Sequence, residues 1–191
     1  MARARLSTAS VVNAAVELVD ERRGGVLTLA AVASRTGVAT PSLYKHVRNL
    51  EALQQKVSAF VTAELAHALS TAIAGRSGQE ALQFLARAYR EYALAHPGRY
   101  PLTQRVPDPD DPVHVAAGEQ AVQAVFAALR GYGLRGDEAI HATRVVRSAV
   151  HGFVSLEVDG GFGLPQDVEG SFERLVSALH VSLSSWEEVA G

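Results

Sequence analysis

The chain has 191 residues, of which 48% are hydrophobic, and its formal net charge is −2. These values suit one packed domain, or two small ones, and argue against disorder. The chain contains no cysteine, which excludes disulfides, thiolate catalysis and cysteine-ligated zinc. No apolar run reaches the roughly 18 residues of a membrane span, and no signal-peptide pattern is evident. We therefore expect a cytoplasmic protein without membrane contact.

Apolar residues at helical spacing predict a first helix that begins at Thr8 or Ser10 and stops at Gly24-Gly25. Thr28 is expected to cap a short second helix, which Gly37 ends.

A third helix is predicted from Pro41 to about Val47, with Thr40 as its N-cap. Asn49 is expected to cap a long fourth helix that runs to about Ala74. Further helices are predicted over 78–95, 112–132, 137–158 and 165–188, and the proline-rich segment 96–112 should form turns and at most one short helix. No segment has a convincing strand pattern. The sequence thus predicts an all-α protein of about nine helices.

The charges divide unevenly along the chain. Residues 1–56 contain eight Lys and Arg against four acids, whereas residues 57–191 contain ten Arg against sixteen acids. This distribution predicts an N-terminal segment that binds a polyanion. The remaining residues, which we call the body, should have a different function. Chance drift in charge is the alternative.

The third predicted helix has two unlike faces. Leu43 and Val47 form its apolar edge, while Ser42, Lys45 and His46 share the opposite face. A helix of two turns is not stable alone in water, so its apolar edge must be docked on neighbouring helices. The polar edge then stays free, as in a helix-turn-helix recognition helix that enters the major groove. A helix-turn-helix that serves only for packing is the alternative.

The candidate DNA-contacting residues lie on the N-terminal arm, at helix starts and on the third helix. They are Arg3, Arg5, Thr28, Thr40, Pro41, Ser42, Tyr44, Lys45, His46 and Arg48.

The segment LTLAAVASRTGVATPSLYKHVRNLEALQQKV (27–57) resembles the DNA-binding domain of the tetracycline-repressor (TetR) family. One departure is Leu50, where the family commonly has a lysine; Arg48 lies just upstream. The resemblance implies a helix-turn-helix domain over 1–48 and an effector-binding and dimerisation domain over 49–191. It also implies double-stranded operator DNA as a partner.

The body resembles a TetR subclass that carries a Trp-His-Gly motif. His151-Gly152 is present, but Arg147 occupies the position of the expected tryptophan. The resemblance implies a homodimer held by the last two long helices, and apolar stripes on both support it, although such stripes could also be core of a monomer. The candidate interface residues are Val150, Phe153, Phe172, Leu175, Val176, Leu179, Leu183 and Trp186.

The resemblance also implies a small-molecule effector in the body. Candidate pocket residues are Phe60, Leu85, Tyr89, Tyr92, Leu102, Phe126, Arg147 and His151. Arg144, Arg147 and His151 share one helix face. If that face points inward, it favours an anionic or hydrogen-bond-accepting ligand; if outward, these side chains are solvated or paired with acids such as Glu157.

The seven histidines are scattered and no metal-binding or catalytic motif occurs, so we expect no metal, no cofactor and no enzymatic activity. Two functions remain at this point. The first is a ligand-responsive transcriptional repressor, and the second is a DNA-binding protein without a small-molecule effector that a partner protein controls.

Overall fold

The computed structural model describes residues 6–21 and 26–186. Within these ranges the secondary structure is entirely helical, as the sequence predicts. The α-helices are α1 (Thr8–Glu21), α2 (Leu29–Thr36), α3 (Thr40–Leu43), α4 (Leu50–Ile73), α5 (Gly78–Ala95), α6 (Pro112–Leu129), α7 (Gly136–Val158) and α8 (Val168–Ser184). Two short 3-10 helices, Tyr100–Gln104 and Arg130–Tyr132, complete the described part of the chain.

The helices form two compact units. The first unit comprises the described residues of Met1–Glu64 together with His96–Gly118, and the second comprises Leu65–Ala95 together with the described residues of Glu119–Gly191. The segment that follows α5 therefore belongs with the N-terminal helices.

Local capping explains the start of the first unit. The Ser7 hydroxyl accepts a hydrogen bond from the backbone N–H of Ser10 at 3.1 Å, so Ser7 caps α1. The Thr28 hydroxyl accepts from Ala31 N at 3.2 Å and caps α2, as predicted. Gly37 ends α2 with φ of 68°, a left-handed conformation that favours glycine. The helices α1, α2 and α3 pack around a core that includes Val11, Val32, Leu43 and Leu53.

The prediction for the third helix is wrong at both ends. Ala39 is the N-cap and Thr40 is already helical, while α3 ends at Leu43 and residues 44–46 form a turn. The Leu43 carbonyl accepts from both His46 N at 2.8 Å and Val47 N at 3.0 Å, which tightens the chain after α3. Asn49 does cap α4, because its side-chain oxygen accepts from Ala52 N at 2.8 Å.

In the second unit α5, α7 and α8 pack against one another around Leu82, Val146, Val154 and Phe172. The prediction that the last helix begins at Pro165 is wrong. Asp167 is the N-cap, and its carboxylate accepts from the backbone N–H groups of Glu169 and Gly170 at 3.2 and 2.7 Å. Among the described residues, none of the helices is both long and apolar enough to span a membrane.

Candidate nucleic-acid interface and effector site

The short segment around α3 exposes one edge and buries the other. Leu43 and Val47 are 0% and 2% exposed, whereas Tyr44 is 56% exposed. Lys45 is exposed beside it and His46 is half-buried. The buried pair fixes the segment on the core of the first unit, so the aromatic and cationic side chains stand on a rigid support.

The other DNA candidates flank this segment. Pro41, Arg48 and Thr28 are exposed, while Thr40 and Ser42 are half-buried. Arg3 and Arg5 lie outside the described residues.

Acidic partners bind several cations of the first unit. Arg35 donates to Glu17 at 3.1 Å and to Glu21, and the hydrogen bond to Glu21 is the main cause of its raised pKa. Arg105 donates to Glu51. Net charge alone therefore overstates the positive surface of this unit. Charge counting missed these ion pairs because the partners are 14 to 54 residues apart in sequence.

A buried histidine joins α4 to α6 within the first unit. His114 is 0% exposed; its Nδ1 lies 3.2 Å from Gln55 Oε1 and its Nε2 lies 3.1 Å from Ser58 Oγ. The Gln55 amide nitrogen donates to Glu51 at 3.3 Å. The Ser58 hydroxyl also lies 2.6 Å from the Leu102 carbonyl oxygen. Burial lowers the pKa of His114 and keeps the ring neutral.

The predicted pocket residues are divided between the two units. Phe60 and Leu102 lie in the first, and the other six lie in the second. Of those six, Leu85 and Tyr92 are buried, Tyr89, Phe126 and His151 are half-buried, and Arg147 is exposed.

The cationic face of α7 points largely outward, since Arg144 is exposed as well as Arg147. Glu157, which the sequence offers as an acid for this face, instead binds Arg90, whose Nε donates to Glu157 Oε2 at 2.7 Å. His151 is half-buried; burial lowers its pKa, and the charge of Arg147 lowers it further. The imidazole is therefore neutral at physiological pH.

Two threonines bury hydroxyl groups that have no hydrogen-bond partner among the described residues: Thr62 on α4, in the first unit, and Thr143 on α7, in the second. An unpaired buried hydroxyl costs about 1–3 kcal/mol unless a ligand or water satisfies it. Sequence patterns could not identify either residue, because threonine at a helical core position is common. No group of three or more metal-ligating side chains occurs in the ranges 6–21 and 26–186.

Comparison with known proteins decides the family. Residues 82–179 match the family described as "Tetracyclin repressor-like, C-terminal domain". An HTH-type transcriptional regulator of Mycobacterium tuberculosis is 41% identical over 158 residues, which cover 82% of this chain and 72% of that protein. The chain belongs to the tetracycline-repressor (TetR) family. It is therefore a DNA-binding transcriptional regulator and not an enzyme, as the sequence predicts.

Solved TetR-like structures agree with this fold. BioQ in complex with its double-stranded DNA operator is 23% identical, with 92% of this chain and 99% of that chain covered and a TM-score of 0.65. TetR-Q116A from Acinetobacter baumannii in complex with minocycline is 21% identical, with 98% and 99% covered and a TM-score of 0.69. At these identities the likeness shows the shared fold alone.

In this TetR-family chain the candidate dimer residues of α7 and α8 lie mainly inside. Val150, Phe172, Val176, Leu179 and Leu183 are buried within the single chain, and Phe153, Leu175 and Trp186 are half-buried. The apolar stripe of α8 is thus accounted for by the core of the second unit.

α7 and α8 each also expose small or apolar residues along one face, and we call these two faces together the exposed stripe. It consists of Val145, Gly152 and Leu156 on α7, together with Ala178 and Val181 on α8. These residues recur at intervals of three, four or seven along each helix and therefore share a face.

Proposed function

We propose that this TetR-family regulator is a homodimeric cytoplasmic repressor that leaves its operator when a small molecule binds the second unit. The observation that carries the DNA part is the two-sided segment at α3. Its Leu43 edge is fully buried, while Tyr44 is more than half exposed beside the exposed Lys45.

We assign the DNA-contacting surface to Pro41, Ser42, Tyr44, Lys45 and Arg48. Residues at the start of a recognition helix reach base edges, and the aromatic and cationic groups after it reach phosphates. Phosphate contacts dominate affinity, so binding should weaken steeply with salt.

The dimer is assigned to the exposed stripe on α7 and α8. Gly152 is the central residue of this stripe on α7, and among the described residues nothing beyond its own stretch of helix lies within 4 Å of a Cβ built there. An exposed glycine among apolar residues permits close approach of a partner helix. A two-fold dimer reads two half-sites about 34–36 Å apart.

We assign effector binding to the second unit, around Leu85, Tyr92, Phe126, Thr143 and His151. These residues offer apolar surface, a neutral imidazole and a buried hydroxyl that is unsatisfied among the described residues. They favour a largely apolar molecule with one or two hydrogen-bonding groups. We further propose that the chain belongs to the Trp-His-Gly subclass, because it has the His151-Gly152 pair, with the exposed cation Arg147 in place of the tryptophan.

Release from DNA then follows as a population shift. The dimer exchanges between a geometry that meets both half-sites and one that does not. The effector must bind the second geometry more tightly, since a ligand with equal affinity for both shifts nothing.

The function is tested with an operator selected from a random duplex pool by the wild-type protein. Fluorescence anisotropy then measures operator affinity with and without each member of a panel of small apolar compounds. We expect at least one compound to release the operator, and Thr143→Val to weaken that response more than Thr143→Ser does. If the wild type selects no DNA, the assigned surface is wrong. If the wild type selects DNA but none of the compounds releases that DNA, regulation by a partner protein accounts for the function better than a small-molecule effector does.

A further inference from the structure

The chain that follows α5 is docked directly on α1. Gly98 lies so close to α1 that a Cβ there would stand 2.2 Å from the Val19 carbonyl oxygen. Tyr100, two residues later, is 2% exposed. Residues 96–104 thus form a strap across the C-terminal end of α1, about 80 residues away in sequence; we call this segment the α1 strap.

One side chain of the α1 strap binds two helices at once. Arg99 Nε lies 2.9 Å from both carboxylate oxygens of Asp20, in the last turn of α1. Its Nη1 donates to Glu64 Oε2 at 2.7 Å, on α4. The Arg99 side chain is only 15% exposed, and its hydrogen bonds to Asp20 are the main cause of its raised pKa. One permanently charged, rigid group therefore spans α1 and α4.

This bridge is placed where orientation matters for DNA. The segment at α3 is held by the core that α1 and α2 share with the start of α4. Asp20, Glu64 and the α3 segment belong to the same unit, so the direction of α4 relative to α1 bears on how the recognition segment is oriented within that unit. Van der Waals packing of small apolar residues such as Val16 and Val19 allows one helix to slide along another. The charged hydrogen bonds from Arg99 to two carboxylates have a fixed geometry and resist such sliding.

We propose that Arg99 is a positioning residue for operator binding, because its bridge between Asp20 and Glu64 fixes the direction of α4 relative to α1. This inference rests on the proposed dimeric function. A dimer meets both half-sites only when each recognition segment has a defined direction. Loss of the bridge therefore weakens simultaneous binding at two half-sites, while leaving the contact of one recognition segment with one half-site intact.

The matched variants are Arg99→Lys and Arg87→Lys. Lysine at position 99 keeps the charge but cannot hold both carboxylates in a fork. Arg87, on α5, makes one exposed ion pair with Glu173 at 3.4 Å and serves as the control. Asp20→Asn is a second variant that weakens the same bridge from the α1 side, and circular dichroism checks that each variant is folded.

Anisotropy of the full chain measures binding to three duplexes: the full operator, a single half-site, and an operator whose half-sites are moved apart by one base pair. We expect Arg99→Lys and Asp20→Asn to weaken full-operator binding by about tenfold, within the usual range of coupling between sites, and half-site binding by less than about twofold. Moving the half-sites apart by one base pair should also reduce the operator affinity of these two variants by a smaller factor than it reduces that of the wild type. Arg87→Lys should change none of the three.

A proportional loss on the full operator and the half-site would show that Arg99 only holds the first unit together, and would overturn the inference. Unchanged binding in both folded variants would overturn it as well. The wild-type protein separates this failure from failure of the proposed function. If the wild type itself binds the full operator no better than the half-site, then the dimeric reading is wrong and the inference falls with it.

Discussion

Gly98 and Val19 are in backbone contact: a Cβ on residue 98 would lie 2.2 Å from the Val19 carbonyl oxygen and 2.9 Å from its carbonyl carbon. Both atoms belong to the backbone of α1, so neither can rotate away. We expect Gly98→Ala to lower the free energy of unfolding by about 2–3 kcal/mol, the cost of overpacking a dense site. Thermal or urea unfolding measures this loss.

Gly118→Ala is the matched control. A Cβ at Gly118, in α6, would meet Pro107 Cγ at 3.6 Å, an ordinary contact. Alanine is favoured over glycine in a helix by up to about 1 kcal/mol, so this variant should be as stable as the wild type or more so. Equal stability of both variants would show that the α1 strap does not press on α1.

Tyr44→Ala and Lys45→Ala test the DNA-contacting surface. Both side chains are exposed, so their removal should leave the melting temperature within a few degrees of the wild type. We expect each variant to bind operator at least about fivefold more weakly, because a well-made contact is worth about 1–3 kcal/mol. Electrophoretic mobility shift or anisotropy provides the measurement. Full affinity in both variants would place the DNA on another face.

A comparison of Arg48 with Arg35 tests whether an arginine that acids already bind contributes less to DNA binding. Arg48 is exposed near the start of α4, whereas Arg35 donates to Glu17 and Glu21. Arg48→Ala should therefore weaken operator binding and reduce the slope of log affinity against log salt by about one, whereas Arg35→Ala should change that slope little. A larger loss from Arg35→Ala would mean that its ion pairs open on DNA.

Local signals predicted the first part of the chain well. Thr28, Gly37 and Asn49 have the predicted roles because caps depend on a few neighbouring residues. The end of α3 was missed because the two hydrogen bonds to the Leu43 carbonyl depend on how this short segment is docked.

Long-range contacts could not be predicted in this way. The pairing of Arg99 with Asp20 joins residues 79 positions apart. The spacing of apolar residues along the sequence does not indicate such a pair. Similarly, the stripe on α8 indicates an apolar face but not whether core or partner covers it, and Phe172 proves to be 1% exposed within the single chain.

His114 makes stability depend on pH. Burial lowers the pKa of this histidine below its ordinary 6.5; the charge of Asp111 opposes the shift and that of Arg105 adds to it. The unfolded chain takes up a proton near pH 6.5, while the folded chain does so only at lower pH. The unfolded state therefore binds more protons between these values, and the free energy of unfolding falls as pH drops through that window.

His114→Gln removes the titrating group and should flatten this part of the pH profile. Urea unfolding at intervals between about pH 7.5 and pH 5 measures both proteins, because linkage acts through the difference in bound protons. The stability difference between wild type and variant should shrink as pH falls. A constant difference across the range would show that His114 titrates equally in both states.

Gly152 tests the dimer surface. It is exposed in the interior of α7, and apart from its own turn of helix no other part of the described chain lies within 4 Å of its built Cβ. In an isolated chain Gly152→Leu should therefore be tolerated and should strengthen the helix, by roughly the 0.8–1 kcal/mol that glycine costs relative to good helix formers. At a close helix crossing, the same side chain obstructs the partner.

We expect Gly152→Leu to shift the protein toward monomer by at least about fivefold in dissociation constant, as an overpacked contact worth about 1–3 kcal/mol implies. Sedimentation velocity over a concentration series measures the shift. Gln83→Leu adds an apolar side chain at an exposed position of α5 and should leave the assembly unchanged. If Gly152→Leu forms the same dimer as the wild type, the partner helix crosses elsewhere. If the wild type is monomeric at every concentration, a single recognition segment per molecule must account for all operator affinity.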